Sequence, residues 1–277
     1  MSTAIVTDST ADLPAHLLDQ FPIFQIPAIL VMKGRSFRDG EQLAREDFYR
    51  QLPGLKVLPT TAAPSVGDFQ NQFDDLLGGK FSRVIALHAS SELSGIFNAS
   101  RLAAEEFGAR VQVVDSRQLS WGLGFQVLAA AQAAAHGLSL DAILQIVVDI
   151  QVRIRVFAYL DTLDYILRSG RVSWVKARLG SLLGVRPLVQ LTDGQVLNKG
   201  LSRSRGQGIK KLSQAFRNLG PAASAAVLHT DPEFKDRDRI LDVVRNHTEE
   251  EPYLVPVTPV IGTHVGPNGL GFAAVVK

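Results

Sequence analysis

Residues 84–136 read VIALHASSELSGIFNASRLAAEEFGARVQVVDSRQLSWGLGFQVLAAAQAAAH, and their rhythm decides the fold class. VIALH (84–88) is a short β-branched, apolar run, and ASSELSGIFNASRLAAEEF after it turns strongly helical in its second half. VQVVD (111–115) opens a second unit, continued by SRQLSWGLG and an alanine-rich helix around Phe125 to His136. Strands alternating with helices of this length argue for a parallel α/β topology. Parallel strands are covered on both faces, so their near-continuous apolar character is expected. Gly137 ends the alanine-rich helix, and Ser139 is placed to cap another through about Ile150.

Toward the N-terminus the same units recur. A strand over Ala4 to Thr7 runs into Asp8-Ser9-Thr10, followed by a short helix from Ala15 to Asp19. PIFQIPAILV (22–31) reads as an extended pair interrupted by Pro27, and Asp39 as the N-cap signal for a helix over 44–51. LPTTAAPSVGDF (58–69) reads as turns leading into a helix over Val66 to Leu77, capped by Ser65 and ended by Gly78-Gly79.

The pattern changes after about residue 155. VFAYL (156–160) is a strand, DTLDYILRSG a helix ending at Gly170, and Val172 to Leu183 a further helix. PLVQLTDGQVLNKG carries Asp193-Gly194, a type I′ hairpin signal. A helix over Gln207 to Asn218, a strand over 226–230, a helix after Asp231-Pro232, a strand over 253–260 and a last strand over Phe272 to Val276 complete the chain. The expected fold class is therefore α/β with two domains: residues 1–155, a mostly parallel sheet flanked by helices, and 156–277, an α+β domain. A cleft between two such lobes is the default place for a ligand.

Composition narrows the function classes. The chain has 277 residues, of which 46% are hydrophobic, enough for a substantial core. With no cysteine there is no disulfide scaffold, thiol nucleophile or cysteine-held metal, and the chain suits a reducing, cytoplasmic setting. MSTAIVTDST carries no basic leader before an apolar stretch, and no run long enough to span a membrane follows. Formal net charge is only +2. Basic residues gather between Arg168 and Lys211, but without the aromatic interleaving or helix-turn-helix pattern of a nucleic-acid binder. They read as solvated side chains or as a docking surface.

Three turns expose backbone N–H groups and hydroxyls between a strand and a helix: Asp8-Ser9-Thr10, Thr60 to Ser65, and Ser90 to Gly95. Such turns either cap helices or bind an anion, and in a parallel sheet they converge at the strands' carboxyl edge. Asp8 and Asp115 end strands, where they serve as Asx turns or cation ligands. No Walker A, HExxH, EF-hand or GxSxG pattern occurs, so no cofactor, metal or catalytic residue is expected. Trp121-Gly122-Leu123-Gly124 reads as close helix packing. His88 and His229 end strands and read as core or rim histidines, whereas His264 lies in GTHVGPNG (262–269), read as a sharply turning loop. These features leave open a small-ligand carrier, a free-standing enzyme on a small acidic or phosphorylated metabolite, and a lipid-sensing module.

The motifs IVTDSTADLP (5–14), PTTAAPSVGDF (59–69), ASSELSGIFNAS (89–100), YLDTLDYILRSGRVS (159–173) and IGTHVGPNGLG (261–271), with FRDG, VVDSRQLSWGLG, LLGVRPLVQLTDGQV and LSRSRG between them, resemble in order and spacing the DegV family of bacterial fatty-acid-binding proteins. The resemblance implies one long-chain fatty acid in a buried apolar tunnel, its carboxylate held by Thr61 and Ser94 with the backbone N–H of Gly95. It further implies Arg171, Arg203 and His264 near the head group or a partner surface. In such a role the chain is a carrier, not an enzyme: a separate ATP-dependent fatty acid kinase subunit phosphorylates the carboxylate. The acyl phosphate then enters phospholipid synthesis, with a transient membrane or acyltransferase encounter. Departures from the family pattern are Ala62-Ala63 for Ser-Gln, Ile96-Phe97 for Thr-Tyr and Arg168-Ser169-Gly170-Arg171 for an RGGR-like segment, and they make the pocket more apolar.

Overall fold

A computed structural model describes residues 2–172, 184–230 and 236–277. The expected helix over Val172 to Leu183 and the expected helix start after Asp231-Pro232 lie almost wholly outside the described residues. Three sheets organise the rest. The first is parallel, in the order β2 (Ile23–Ile26), β1 (Thr3–Asp8), β6 (Arg83–His88), β7 (Val111–Asp115). A small antiparallel sheet joins β4 (Arg35–Arg38), β3 (Ile29–Met32) and β5 (Thr60–Ala62). The largest has six strands in the order β10 (Gln195–Ser202), β9 (Arg186–Thr192), β8 (Ile154–Tyr159), β13 (Leu270–Val276), β11 (Ala222–His229), β12 (Tyr253–Pro256). It is antiparallel except where β11 meets β12. The division expected between 155 and 156 falls inside β8.

The helices are α1 (Ala15–Gln20), α2 (Arg45–Gln51), α3 (Val66–Gly78), α4 (Ile96–Ala104), α5 (Trp121–Ala135), α6 (Leu140–Gln151), α7 (Asp164–Ser169), α8 (Arg205–Arg217), α9 (Asp236–Arg245) and α10 (Pro259–Val265). Helices α3 and α4 pack on the parallel sheet from one side. Helix α5 lies between that sheet and the six-stranded one, touching β1 and β6 on one hand and β8 and β13 on the other. Its sequence is apolar all round for this reason, and its residues from Trp121 to Leu128 are all buried. The two glycines are where it comes closest: a Cβ on Gly122 would lie 2.8 Å from Val156 Cγ2, and one on Gly124 3.0 Å from the Ala11 carbonyl oxygen. One hydrophobic core accordingly runs from β1 and β6 through α5 into β8, β11 and β13. A second core fills the far face of the six-stranded sheet beneath α8 and α9.

Local signals explain most boundaries. Ser65 and Asp68 form a reciprocal capping box at the start of α3. Ser139 caps α6 through the Ala142 N–H. Asp193 and Gly194 both take positive φ, 48° and 80°, in the β9–β10 turn, as a type I′ hairpin requires.

Four expectations give way. Asp39 caps no helix: it is buried and accepts a hydrogen bond from Ser9 Oγ at 2.7 Å, while Ala44 stands at the N-cap of α2 without a side-chain bond. Thr60–Ala62 is a strand rather than a turn, because Leu30 and Val31 of β3 supply it with ladder partners. Helix α5 begins at Trp121, four residues early, since its glycines serve packing. Residues 259–265, expected as strand end and loop, form α10, with Pro259 in its favoured place in the first turn behind an extended Thr258.

Candidate functional site

The parallel strands end in loops that face one side of the six-stranded sheet, and a cavity of about 170 Å³ lies between them. Its floor follows from strand register. Across β9, β8, β13 and β11 the residues Val189, Ala158, Gly271 and Leu228 stand in one row, and Leu191, Val156, Ala273 and Ala226 in the next. The central positions carry an alanine and a glycine, so the sheet there is thin. A Cβ on Gly271 would lie 2.6 Å from the Phe157 carbonyl oxygen and 3.3 Å from Ala158 Cβ. Val260, Ile261 and Val265 of α10, Ile166 of α7 and Leu93 continue the apolar wall.

Polar groups gather where β5, the β6–α4 loop and α10 meet. Helix α10 packs on β5, α2 and α7, which brings its last turn beside Thr61. Thr61 Oγ1 and His264 Nε2 are 2.9 Å apart. Burial, and after it the Arg171 cation, push the His264 imidazole down to about 4, so the ring is neutral at physiological pH. Its Nδ1 is buried and, among the described residues, meets no hydrogen-bond partner. A neutral imidazole carries one proton, so the Thr61–His264 pair offers an acid head group one donor in either tautomer. Nδ1–H donates while Thr61 gives its proton to Nε2, or Nε2–H bonds Thr61 and the threonine hydroxyl donates.

Ser94 lines the cavity on the opposite loop. Its Oγ accepts from the Ile96 N–H at 3.4 Å, which leaves the hydroxyl proton for another acceptor. Gly95 stands at the N-cap of α4, exposed and without a side-chain cap bond, and an added Cβ would lie 3.8 Å from Ala63 Cβ. The residue that follows β5 and the start of α4 are thus neighbours. Arg171 is exposed at the same end, with Nε donating to the Leu93 carbonyl at 3.4 Å and Nη1 to that of Ser169. Thr61, Ser94, Arg171 and His264 therefore converge. Arg203 does not join them: it is exposed, does not line the cavity, and its carbonyl accepts from Arg186 at 3.3 Å.

The first turn supports the site. Asp8 Oδ1 accepts from both the N–H and the hydroxyl of Thr10, and Oδ2 from the Ala89 N–H at 3.0 Å and His88 Nδ1 at 3.1 Å. Burial raises this carboxyl, but His88 and the other donors outweigh it and hold it below the ordinary value. His88 Nε2 meets Ser100 Oγ at 2.9 Å, so both ring nitrogens are satisfied inside the core. Asp115 likewise accepts from Ser91 Oγ at 2.6 Å and the Arg117 N–H at 2.8 Å, as an Asx-type turn does. Among the described residues no three metal-type ligands come together. Sequence reasoning missed Ser120, Thr230 and His229, which also line the cavity. His229 ends β11 as His88 ends β6, a parallel that distinguishes neither from a core residue.

The DegV family model, described as an uncharacterised protein family, matches residues 2–277. The chain belongs to the DegV family. A DegV domain-containing protein of Caldanaerobacter subterraneus is 34% identical over 275 residues, covering 97% of this chain and 96% of its own. The structure of a fatty-acid-binding DegV family protein from Thermus thermophilus superposes with a TM-score of 0.91 at 30% identity, covering both chains completely. DegV of Bacillus subtilis, a fatty acid binding protein, gives 0.86 at 28%, again over both full lengths. The DegV fold of a parallel sheet with helices joined to antiparallel and mixed sheets is thereby shown for this chain. Among its described residues no helix is long and apolar enough to cross a membrane.

Proposed function

We propose that this chain binds one long-chain fatty acid, with the acyl chain in the cavity and the carboxylate held by Thr61, Ser94 and the Gly95 N–H, beside His264 and Arg171. The observation that carries this reading is the cavity itself: apolar over most of its wall, with hydroxyls gathered at one end beside an imidazole nitrogen that has no partner among the described residues. Each buried methylene contributes about 0.8 kcal/mol, so a long chain supplies the affinity. The buried head needs hydrogen bonds, since an unpaired carboxylate is costly. The fatty acid binding of the Thermus and Bacillus relatives supports the same assignment.

In this reading the chain is a carrier that presents the acid to a separate ATP-dependent kinase subunit and works in the cytoplasm. Support comes from the exposure of Gly95 and Arg171 at the head-group end, where an incoming protein would reach the carboxylate. Arg203 belongs to the docking face rather than the pocket. The ligand lies between two lobes, one built on the parallel sheet and the other on the six-stranded sheet that includes all of β8. Incubating the oleate-loaded chain with ATP and a kinase-type subunit tests the carrier role. Acyl phosphate formed only when both proteins are present supports it. Acyl phosphate made by this chain alone, or by neither combination, contradicts it.

A further inference from the structure

Asp12 has no part in the ligand contacts above, yet it holds three segments around the cavity. It is buried, with φ 56°, at the end of the turn that follows β1. Its Oδ1 accepts from the Thr258 N–H at 2.7 Å, and its Oδ2 from the Ser120 hydroxyl at 2.6 Å. Thr258 precedes α10, the helix that carries His264. Ser120 precedes α5 and lines the cavity. Asp12 therefore fixes the β1–α1 connection, the start of α5 and the start of α10 to one another.

Ser120 shows that this arrangement is held against resistance. Its backbone lies at φ 53°, ψ −138°, a region rarely taken by residues other than glycine. Its hydroxyl makes no cap to α5 and goes to Asp12 instead.

The charged and titratable groups facing Asp12 come from two elements. Helix α2 contributes Arg45, whose Nη1 lies 3.9 Å from Oδ1 and also donates to the Pro256 carbonyl. It also contributes Tyr49, whose phenol donates to the carbonyls of Val257 at 3.0 Å and Thr258 at 3.2 Å. Asp39, from the β4–α2 connection, adds a second carboxylate. Burial raises the Asp12 carboxyl, against the pull of Arg45, Ser120 and Thr258 and with a further rise from Asp39, and the balance leaves it at about 7. A proton would settle on Oδ2, where the Ser120 hydroxyl turns to accept it; the Thr258 N–H then bonds a neutral carbonyl in place of a carboxylate, and the pairing with Arg45 is lost.

We propose that the Asp12 carboxylate is a positioning residue: it holds Ser120 and the first turn of α10 against the cavity, and the grip on a bound acid loosens when it takes up a proton. The ligand half of this proposal rests on the fatty-acid reading; the joint itself does not.

The test measures hydrogen exchange of the unliganded chain and its affinity for oleate from pH 8 to pH 6, in the wild type, Asp12→Asn and Arg45→Met. In the wild type, α10 protection, corrected for intrinsic rates, and oleate affinity each fall about ten-fold toward pH 6, the scale of a hydrogen bond to a charged group. In Asp12→Asn, α10 protection is low and flat over this range. Because oleate's own titration is common to both proteins, the ratio of their affinities isolates Asp12. Arg45→Met moves the wild-type midpoint to higher pH, and that pair decides the matter if Asp12→Asn does not fold. Wild-type α10 protection that ignores pH, an Arg45→Met midpoint that stays put, or Asp12→Asn matching the wild type at pH 8 overturns the proposal. Oleate bound with flat α10 protection sinks the joint and leaves the binding reading intact. Absence of oleate binding at every pH sinks the binding reading, while α10 protection still tests the joint.

Discussion

On the face of the six-stranded sheet turned toward α8, β8 and β13 carry Phe157, Tyr159 and Phe272; on the face turned toward the parallel sheet they carry Val156, Ala158, Gly271 and Ala273. The aromatic face is closed. Phe272 stacks on Phe157 at 5.3 Å and meets Phe216 of α8 edge-on at 4.8 Å, and Tyr159 fills the space that a side chain on Gly208 would need. The small-residue face holds the cavity. The strands are the same, so alternation along the chain divides the labour: one set of side chains supplies stability and the other withholds volume for a ligand.

Two histidines, His88 in the core and His264 at the cavity, repeat the contrast. His88 has a partner on each ring nitrogen, whereas His264 keeps one nitrogen without a partner among the described residues. Full satisfaction marks structure, and an unsatisfied group in a cavity marks a place for something else.

The sharpest way to break the comparison is to exchange the roles of the two faces. Phe272→Ala is expected to cost about 3–5 kcal/mol in denaturant unfolding while the folded fraction still binds oleate. Ala158→Phe is expected to do the reverse, cutting oleate affinity more than about 100-fold with the protein still folded, because a ring there enters the open space. Loss of binding in Phe272→Ala protein that remains folded, or tight binding by Ala158→Phe, would erase the distinction.

Next comes pH. His264 has its folded value near 4, below its ordinary 6.5, so the unfolded chain takes up the proton first as pH falls. Its contribution to stability is complete above about 6.5 and is lost toward pH 4, up to about 3 kcal/mol. Unfolding curves of the wild type and His264→Gln should therefore converge or cross as pH drops through that window. Parallel curves would place His264 in solvent.

Thr61→Ala and Ser94→Ala should each weaken oleate binding by about 1.5–3 kcal/mol, the size of a hydrogen bond to a charged group, as read by titration calorimetry. The smallest effect belongs to Arg203→Ala, expected to change affinity less than about two-fold because it lies off the cavity. A drop comparable to Thr61→Ala would bring Arg203 into the pocket.

What the sequence made legible follows from how local each cause is. The strand–helix units, the Asp193-Gly194 turn and the Ser65 cap rest on neighbours within a few residues, and each was readable. Thr61 and Ser94 were readable only through motif order, since neither hydroxyl differs locally from an ordinary cap. Strand β5 is three residues long, too short for periodicity to register. Helix α10 was hidden because the glycines of GTHVGPNG outweighed the single Thr258-Pro259 start signal. Asp39 looked like a cap because its partner, Ser9, is 30 positions away. The cavity was invisible for a deeper reason: VFAYL and LGFAAVV are apolar on both faces, so the alternation of large and small side chains reads simply as a buried strand.

Mass spectrometry of the small molecules released on denaturing the purified chain tests the central claim most directly. One long-chain fatty acid per chain, lost from Ala158→Phe protein, is the expected result. A pocket that releases no fatty acid and takes up none when oleate is supplied, or one occupied stoichiometrically by an unrelated metabolite, would contradict it.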